Sequence, residues 1–241
     1  MSTSRRLAAA AAIVVLWSGL TACGPSHSGS NKGADQAPPA AGNSAGAGQG
    51  AHQIPVGAGP QNSYNAATQP APGSCHYRYT ADKQPLPDLA CTPGATSPAV
   101  TQANLKDTIC KTGGYTSGIR PPVNVTGKEK AENAKSYGYT GPMGDAEYDH
   151  LISLQLGGDP NDPRNLWVEP PSPNHVPGKG PNNPKDSVET HLHTAICKGQ
   201  TTLAAAQQAI ATDWTTAEAK LGLGAGAASA PAAADPDDDA N

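Results

Sequence analysis

Residues 145–170 carry a pattern that limits the fold more than any other part of the chain. In chain order, its landmarks are an Asp-His pair, a Gly-Gly pair and an Asn that opens a short apolar segment: Asp149, His150, Gly157, Gly158, Asn165, Leu166, Trp167 and Val168. An apolar alternation follows His150, and the glycine pair allows the backbone to turn. The pattern predicts strand, loop and strand, with the Asp-His pair at the start of the first strand and Asn165 at the start of the second.

Glycine and proline limit how much of the chain can form a core. The 241 residues include 27 Gly and 24 Pro, no Phe and only three Trp. These are too many chain breakers and too few large apolar groups for a core of the full length. Since the breakers are concentrated at the two ends, the globular part must be shorter than the chain.

The N-terminus has the features of an export signal. A positive start is followed by an apolar run at 7–20, which is too short to span a bilayer comfortably. Small residues then precede a cysteine in Leu20-Thr21-Ala22-Cys23. This ending resembles the bacterial lipoprotein signal and implies that residues 1–22 are removed and Cys23 is lipidated. Ordinary secretion after Ala22 is the alternative.

Composition sets the remaining boundaries. Residues 23–73 are almost free of large apolar groups, so we expect a disordered Gly/Ala/Pro tether. Residues 223–241, a Gly/Ala stretch followed by an acidic one, are expected to be a disordered tail. One domain is predicted between them, at 74–222.

The charge of this domain does not favour nucleic acid. Residues 74–222 contain 13 Lys/Arg and 15 Asp/Glu, a net charge of −2, and the whole chain carries −4. A strongly basic footprint is therefore missing.

Four cysteines lie in the predicted domain, and an even count in an exported chain indicates two disulfides with three possible pairings. We favour Cys75–Cys91 as a local bridge and Cys110–Cys197 as a link between two helices. The sequence has no Cys-x-x-Cys spacing, which zinc ribbons use to bind the metal, and this argues against a zinc ribbon.

Four helices are predicted from apolar spacing and cap residues, at 101–110, 126–136, 183–197 and 202–221. The third begins at Asn183-Pro184, where Asn183 is the expected N-cap. The order around the centre is therefore strand, loop, strand, loop and helix.

The central motif, with the helix that follows, resembles the HNH endonucleases, also called the ββα-metal or His-Me finger group. A set of secreted bacterial HNH-type proteins is a closer match, over about residues 92–214. The resemblance implies an α+β fold, in which a ββα-metal finger (a short β-hairpin plus a helix) is embedded in a mainly helical, disulfide-stapled domain.

The resemblance also implies roles for single residues. His150 would be the general base, because an imidazole titrates near the working pH. Asp149 would be an oxygen ligand of a divalent metal ion, most simply Mg²⁺, with Mn²⁺ or Zn²⁺ as alternatives. Asn165 would brace the loop and aim the histidine. Apart from the resemblance, the charge of Arg164 next to it makes this residue a candidate for contact with a phosphate. Because strand neighbours point to opposite faces, Asp149 and His150 can share one site only if the strand ends or bulges there.

The residue that completes the metal site stays open. Asn174 lies nine residues after Asn165, close to the spacing of the last ligand in short HNH motifs, but prolines surround it. Glu189 and His193, at i and i+4 on the later helix, share a face and are the other candidates.

These observations predict a lipid-anchored, extracytoplasmic, metal-dependent nuclease. Its expected partners are nucleic acid, DNA rather than RNA, and the membrane through its anchor. The alternative is a non-catalytic cell-surface binding or structural module that keeps the HNH-like fold, which the charge favours. A metallopeptidase is unfavoured because the chain lacks His-Glu-x-x-His.

Overall fold

The computed structural model describes residues 52–181 and 183–224. The predicted signal peptide at 1–22, the lipidation site Cys23, the first part of the tether and residues 225–241 of the tail lie outside these residues. Within the described part, no helix is long and apolar enough to cross a membrane.

The domain is α+β, as predicted, with helices and two small antiparallel hairpins. The α-helices and strands, in chain order, are β1 (Arg78–Tyr79), β2 (Pro85–Leu86), α1 (Val123–Tyr137), β3 (Glu147–His150), β4 (Leu166–Glu169), α2 (Lys185–Cys197), α3 (Leu203–Thr212) and α4 (Ala217–Lys220). Short 3₁₀ turns lie at Leu105–Asp107, Leu154–Leu156 and Trp214–Thr216. Strand β1 pairs with β2, and β3 pairs with β4.

The central hairpin has two faces with different neighbours. Its cross-strand pairs are Glu147–Glu169, Tyr148–Val168, Asp149–Trp167 and His150–Leu166. Tyr148, Leu166 and Val168 pack with Ala134 of α1. On the other face, Trp167 joins the main core with residues of α2 and α3. The hairpin is thus covered by α1 on one side and by α2 on the other.

Two of the predicted helices differ from the structure. At 101–110 only a 3₁₀ turn forms, because the Asn104 side chain accepts from the backbone of Thr101 (2.8 Å) and donates to the carbonyl of Ala99 (3.0 Å). Such local bonds compete with helical ones. The predicted helix at 202–221 breaks at Asp213, whose extended backbone and side chain start a new 3₁₀ turn.

The tether prediction for 23–73 is wrong over residues 52–73, which lie against the domain. Four of the hydrogen bonds that hold them are Gly57 N to Thr96 O (2.9 Å), Gly59 N to Asp159 Oδ2 (2.6 Å), Ala67 N to Glu129 Oε1 (2.6 Å) and Ser136 Oγ to Pro70 O (2.5 Å). Disorder was expected because the segment has few apolar side chains to bury. Here backbone groups bonded to partly or fully buried polar partners hold a segment that has little apolar surface.

Both favoured disulfides are present, Cys75–Cys91 and Cys110–Cys197. The second joins the end of α2 to the segment after the first 3₁₀ turn, so it links one helix rather than two. These bridges constrain a chain that has many Gly and Pro residues and few large apolar ones.

The two bridges should differ in their effect on stability. They close separations of 87 and 16 residues. In the chain-entropy model, Cys110→Ala with Cys197→Ala should lower the free energy of unfolding by about 4.5 kcal/mol, against about 3 kcal/mol for Cys75→Ala with Cys91→Ala. Urea denaturation of the two double variants measures this. An equal loss, or a larger one for the short loop, would contradict the prediction.

Candidate functional site

The His150 side chain lies on the α1 side of the hairpin and is buried, with 7% of its surface exposed. Its Nε2 is 3.0 Å from the carbonyl oxygen of Pro160. Because a carbonyl only accepts, Nε2 carries the hydrogen and Nδ1 keeps the lone pair. Burial first, and then the nearby positive charge of Arg120, lower the pKa of His150 to about 4. The ring is therefore neutral at pH 7.

Asn165 braces the loop between β3 and β4 through four hydrogen bonds of its side chain. Its Oδ1 accepts from the backbone N–H groups of Ala95 (3.2 Å) and Ile152 (3.0 Å). Its Nδ2 donates to the carbonyls of Ile152 and Asp159, both at 3.0 Å. Gly158 belongs to the same contact, since a Cβ there would overlap the carbonyl of Ile152 and crowd the Asn165 amide. These bonds fix the loop that supplies the Pro160 carbonyl.

Asp149 points to the opposite side of the hairpin, toward α2. Its carboxylate accepts from Trp167 Nε1 at 2.9 Å and from Lys185 Nζ, which lies 3.0 Å from Oδ1 and 2.8 Å from Oδ2. The same ammonium donates to the carbonyl of His150 at 3.0 Å and to the carboxylate of Glu189. Three N–H donors thus meet three acceptors, and Lys185 is completely buried.

Neighbouring carboxyl groups stabilise the charged form of Lys185. Burial alone would lower the pKa of its ammonium, but the carboxylates of Asp149, Glu189 and Glu169 outweigh burial and raise that pKa well above its ordinary value. Lys185 is therefore a cation at any physiological pH. Its importance is not visible in the sequence, because a lysine at the start of an amphipathic helix is usually exposed.

Two further carboxyl groups border this ion pair. Glu147 and Glu169 lie opposite each other on the face that carries Asp149. Burial, and then the charge of Asp149, raise the pKa of both groups well above the ordinary value. Asn183 donates to Glu147 at 3.1 Å. Asp149 and Glu189 are the carboxyl groups that Lys185 contacts directly.

The four predicted metal ligands do not form one site. Asp149 and Glu189 come together, but around Lys185. Asn174 is exposed in the loop before α2 and not on a helix. His193 Nε2 lies 2.8 Å from the carbonyl of Ile109, on the side of the second disulfide.

Arg164, the predicted phosphate contact, is paired with a neighbouring carboxylate. Its guanidinium pairs with Asp162 at 2.5 Å and is about half exposed. Arg120, which sequence reasoning missed, is the cation beside His150. It lies in a Gly- and Pro-containing connection before α1, where no pattern in the sequence marks it.

The prediction that the Asp-His pair starts the first strand is wrong, because β3 runs from Glu147 to His150 and the pair lies at its end. The strand ends there without a bulge. Pairing with β4 continues through His150, and Leu151 N donates to the carbonyl of Asn165 at 2.8 Å. The two side chains therefore point to opposite faces. A divalent ion does not fit between Asp149 and Glu189, since the Lys185 ammonium lies there.

Another group could hold a metal ion. Donor atoms of Cys110, His193 and Cys197 all lie within 4.8 Å of one another. The two sulfurs are joined in the disulfide, so they are not free thiolates here.

The chain matches no family model, no curated protein and no solved structure.

Burial of His150 predicts a pH effect on stability. The folded-state pKa of about 4 lies below the ordinary 6.5, so the unfolded chain binds a proton in this window that the folded chain does not. Stability from the neutral ring is complete above pH 6.5 and is lost as pH falls toward 4. Relative to His150→Gln, the wild type should lose on the order of 3 kcal/mol of unfolding free energy across that window. The other titrating groups are common to both proteins and cancel. A difference that stays constant across the window would contradict the prediction.

Proposed function

We propose that this chain is a non-catalytic extracytoplasmic module, structural or binding, in which an HNH-like hairpin and helix hold the domain together. In this proposal the ββα unit is kept as a scaffold. The residues that resemble a catalytic set act as internal ties, with Asp149 bound to Lys185 and His150 bound to Pro160.

One observation carries the proposal: the carboxylate of Asp149 and the imidazole of His150 lie on opposite faces of β3, and each is engaged by a group of the protein. Hydrolysis of a phosphodiester needs a base and a charge-neutralising group at one reacting phosphorus. Groups separated by a strand cannot meet that requirement. The net charge of −2 over residues 74–222 also argues against a nucleic-acid surface.

A nuclease assay tests this proposal. Supercoiled plasmid and structured RNA should remain intact when incubated with the wild type and Mg²⁺, Mn²⁺ or Zn²⁺, and His150→Ala should behave identically. Arg164→Ala, at an exposed position, is the control for surface charge. Near-ultraviolet circular dichroism verifies that each variant is folded. Divalent-dependent degradation by the wild type that is lost in folded His150→Ala would contradict the proposal.

A nuclease is the second candidate function, favoured by the setting of the His150 ring. The Pro160 carbonyl fixes the hydrogen on Nε2 and leaves Nδ1 as the base, and the Arg120 cation is near enough to help lower the pKa of the ring. A base would take a proton from water while a cation neutralises the phosphate. This candidate requires that the buried ring become accessible to substrate.

The two disulfides indicate an extracytoplasmic location. We propose that the chain is held there by a lipid on Cys23, and the support is the small-residue run before that cysteine.

Cys23→Ser tests the anchor. Wild-type protein should fractionate with membranes, and the variant should appear in the soluble extracytoplasmic or medium fraction, because a serine cannot be lipidated. Immunoblotting of the fractions measures this. A variant that distributes as the wild type does would contradict lipid anchoring.

A further inference from the structure

The acceptors around Lys185 are all oxygens. They are the carboxylate of Asp149, the carbonyl of His150 and the carboxylate of Glu189, and they come from β3 and α2. Backbone carbonyls and carboxylates are the ligands that hard divalent cations prefer. A lysine ammonium is a compact cation with three donors, and here it fills the space that such an ion would take.

A further buried oxygen lies at the edge of this group. Glu169 is 3% exposed, and its Oε2 has no hydrogen-bond partner among the described residues. It lies on the same face of the hairpin as Asp149, and it interacts electrostatically with Asp149 and Lys185. The oxygens therefore outnumber the donors that Lys185 supplies.

We propose that Asp149, the His150 carbonyl, Glu189 and Glu169 form a cation cage whose resident cation is the Lys185 ammonium. A divalent ion and the ammonium exclude each other, because both need the same oxygens. The intact protein therefore binds no divalent ion at this place, and shortening residue 185 turns the cage into a divalent-cation site. This inference stands apart from the proposed function: metal-independent nuclease activity would overturn the latter and leave the cage intact.

Lys185→Ser tests the cage by thermal unfolding of the full mature chain in EDTA, Mg²⁺, Ca²⁺ or Mn²⁺. In EDTA the variant should melt roughly 10 °C below the wild type, because two buried carboxylates lose their counter-charge. Millimolar Ca²⁺ or Mn²⁺ should restore at least about half of that loss. The Tm of the wild type should not change with any of these ions.

Two matched variants separate the cage from other effects. Lys185→Met removes the charge but fills the space, so its low Tm should not respond to metal. A metal response of equal size in Lys185→Met would show binding elsewhere and overturn the proposal. The double variant Lys185→Ser with Glu189→Gln lacks one charged ligand of the cage. Its Tm should therefore rise much less on addition of Ca²⁺ or Mn²⁺ than the Tm of Lys185→Ser.

If Lys185→Ser does not fold in EDTA, a refolding experiment tests the cage instead. The denatured variant is diluted into buffer with Mn²⁺ or with EDTA, and the yield of soluble, cooperatively melting protein is compared. Recovery only with Mn²⁺ supports the cage. Equal yields, no recovery under either condition, or a metal-dependent stabilisation of the wild type that is lost in Glu189→Gln would overturn it.

Discussion

The ammonium of Lys185 is the contact on which the rest of this domain depends. It joins β3 to the first turn of α2 through Asp149, the His150 carbonyl and Glu189, with no exposure to solvent. A buried ion pair of this kind contributes little net stability, but removal of one partner leaves an uncompensated charge. The pair therefore fixes the position of the helix against the hairpin more than it strengthens the fold.

The same contact explains why the Asp-His pair, which resembles a catalytic motif, has its polar groups bound to other groups of the protein. Regular strand pairing sends Asp149 to the α2 side and His150 to the α1 side. On the first side, the protein supplies its own cation. On the second, burial and a carbonyl partner hold the imidazole neutral. Each half of the motif is satisfied within the domain, and the His150–Pro160 hydrogen bond also joins β3 to the loop that Asn165 braces.

Local features of this fold could be predicted from the sequence, whereas distant contacts could not. The order of strand, loop, strand and helix was predicted, and the disulfide pairing matched the favoured one. The first strand was misplaced, because the apolar alternation after His150 forms a buried bend and 3₁₀ turn instead of a strand. The Lys185–Asp149 pair joins residues far apart in sequence, and nothing in either segment marks it. Residues 52–73 are held by backbone hydrogen bonds, which leave no apolar pattern to detect.

Nuclear magnetic resonance of lysine ammonium groups tests the central claim most directly. At neutral pH and room temperature, solvent exchange removes the ¹H–¹⁵N signals of exposed lysines, whereas a buried, fully bonded ammonium is protected. The wild type should show a protected Nζ signal that is absent in Lys185→Met and unchanged by millimolar Mg²⁺. A spectrum without this signal, or a signal that disappears when Mg²⁺ is added, would contradict the claim that Lys185 is the resident cation.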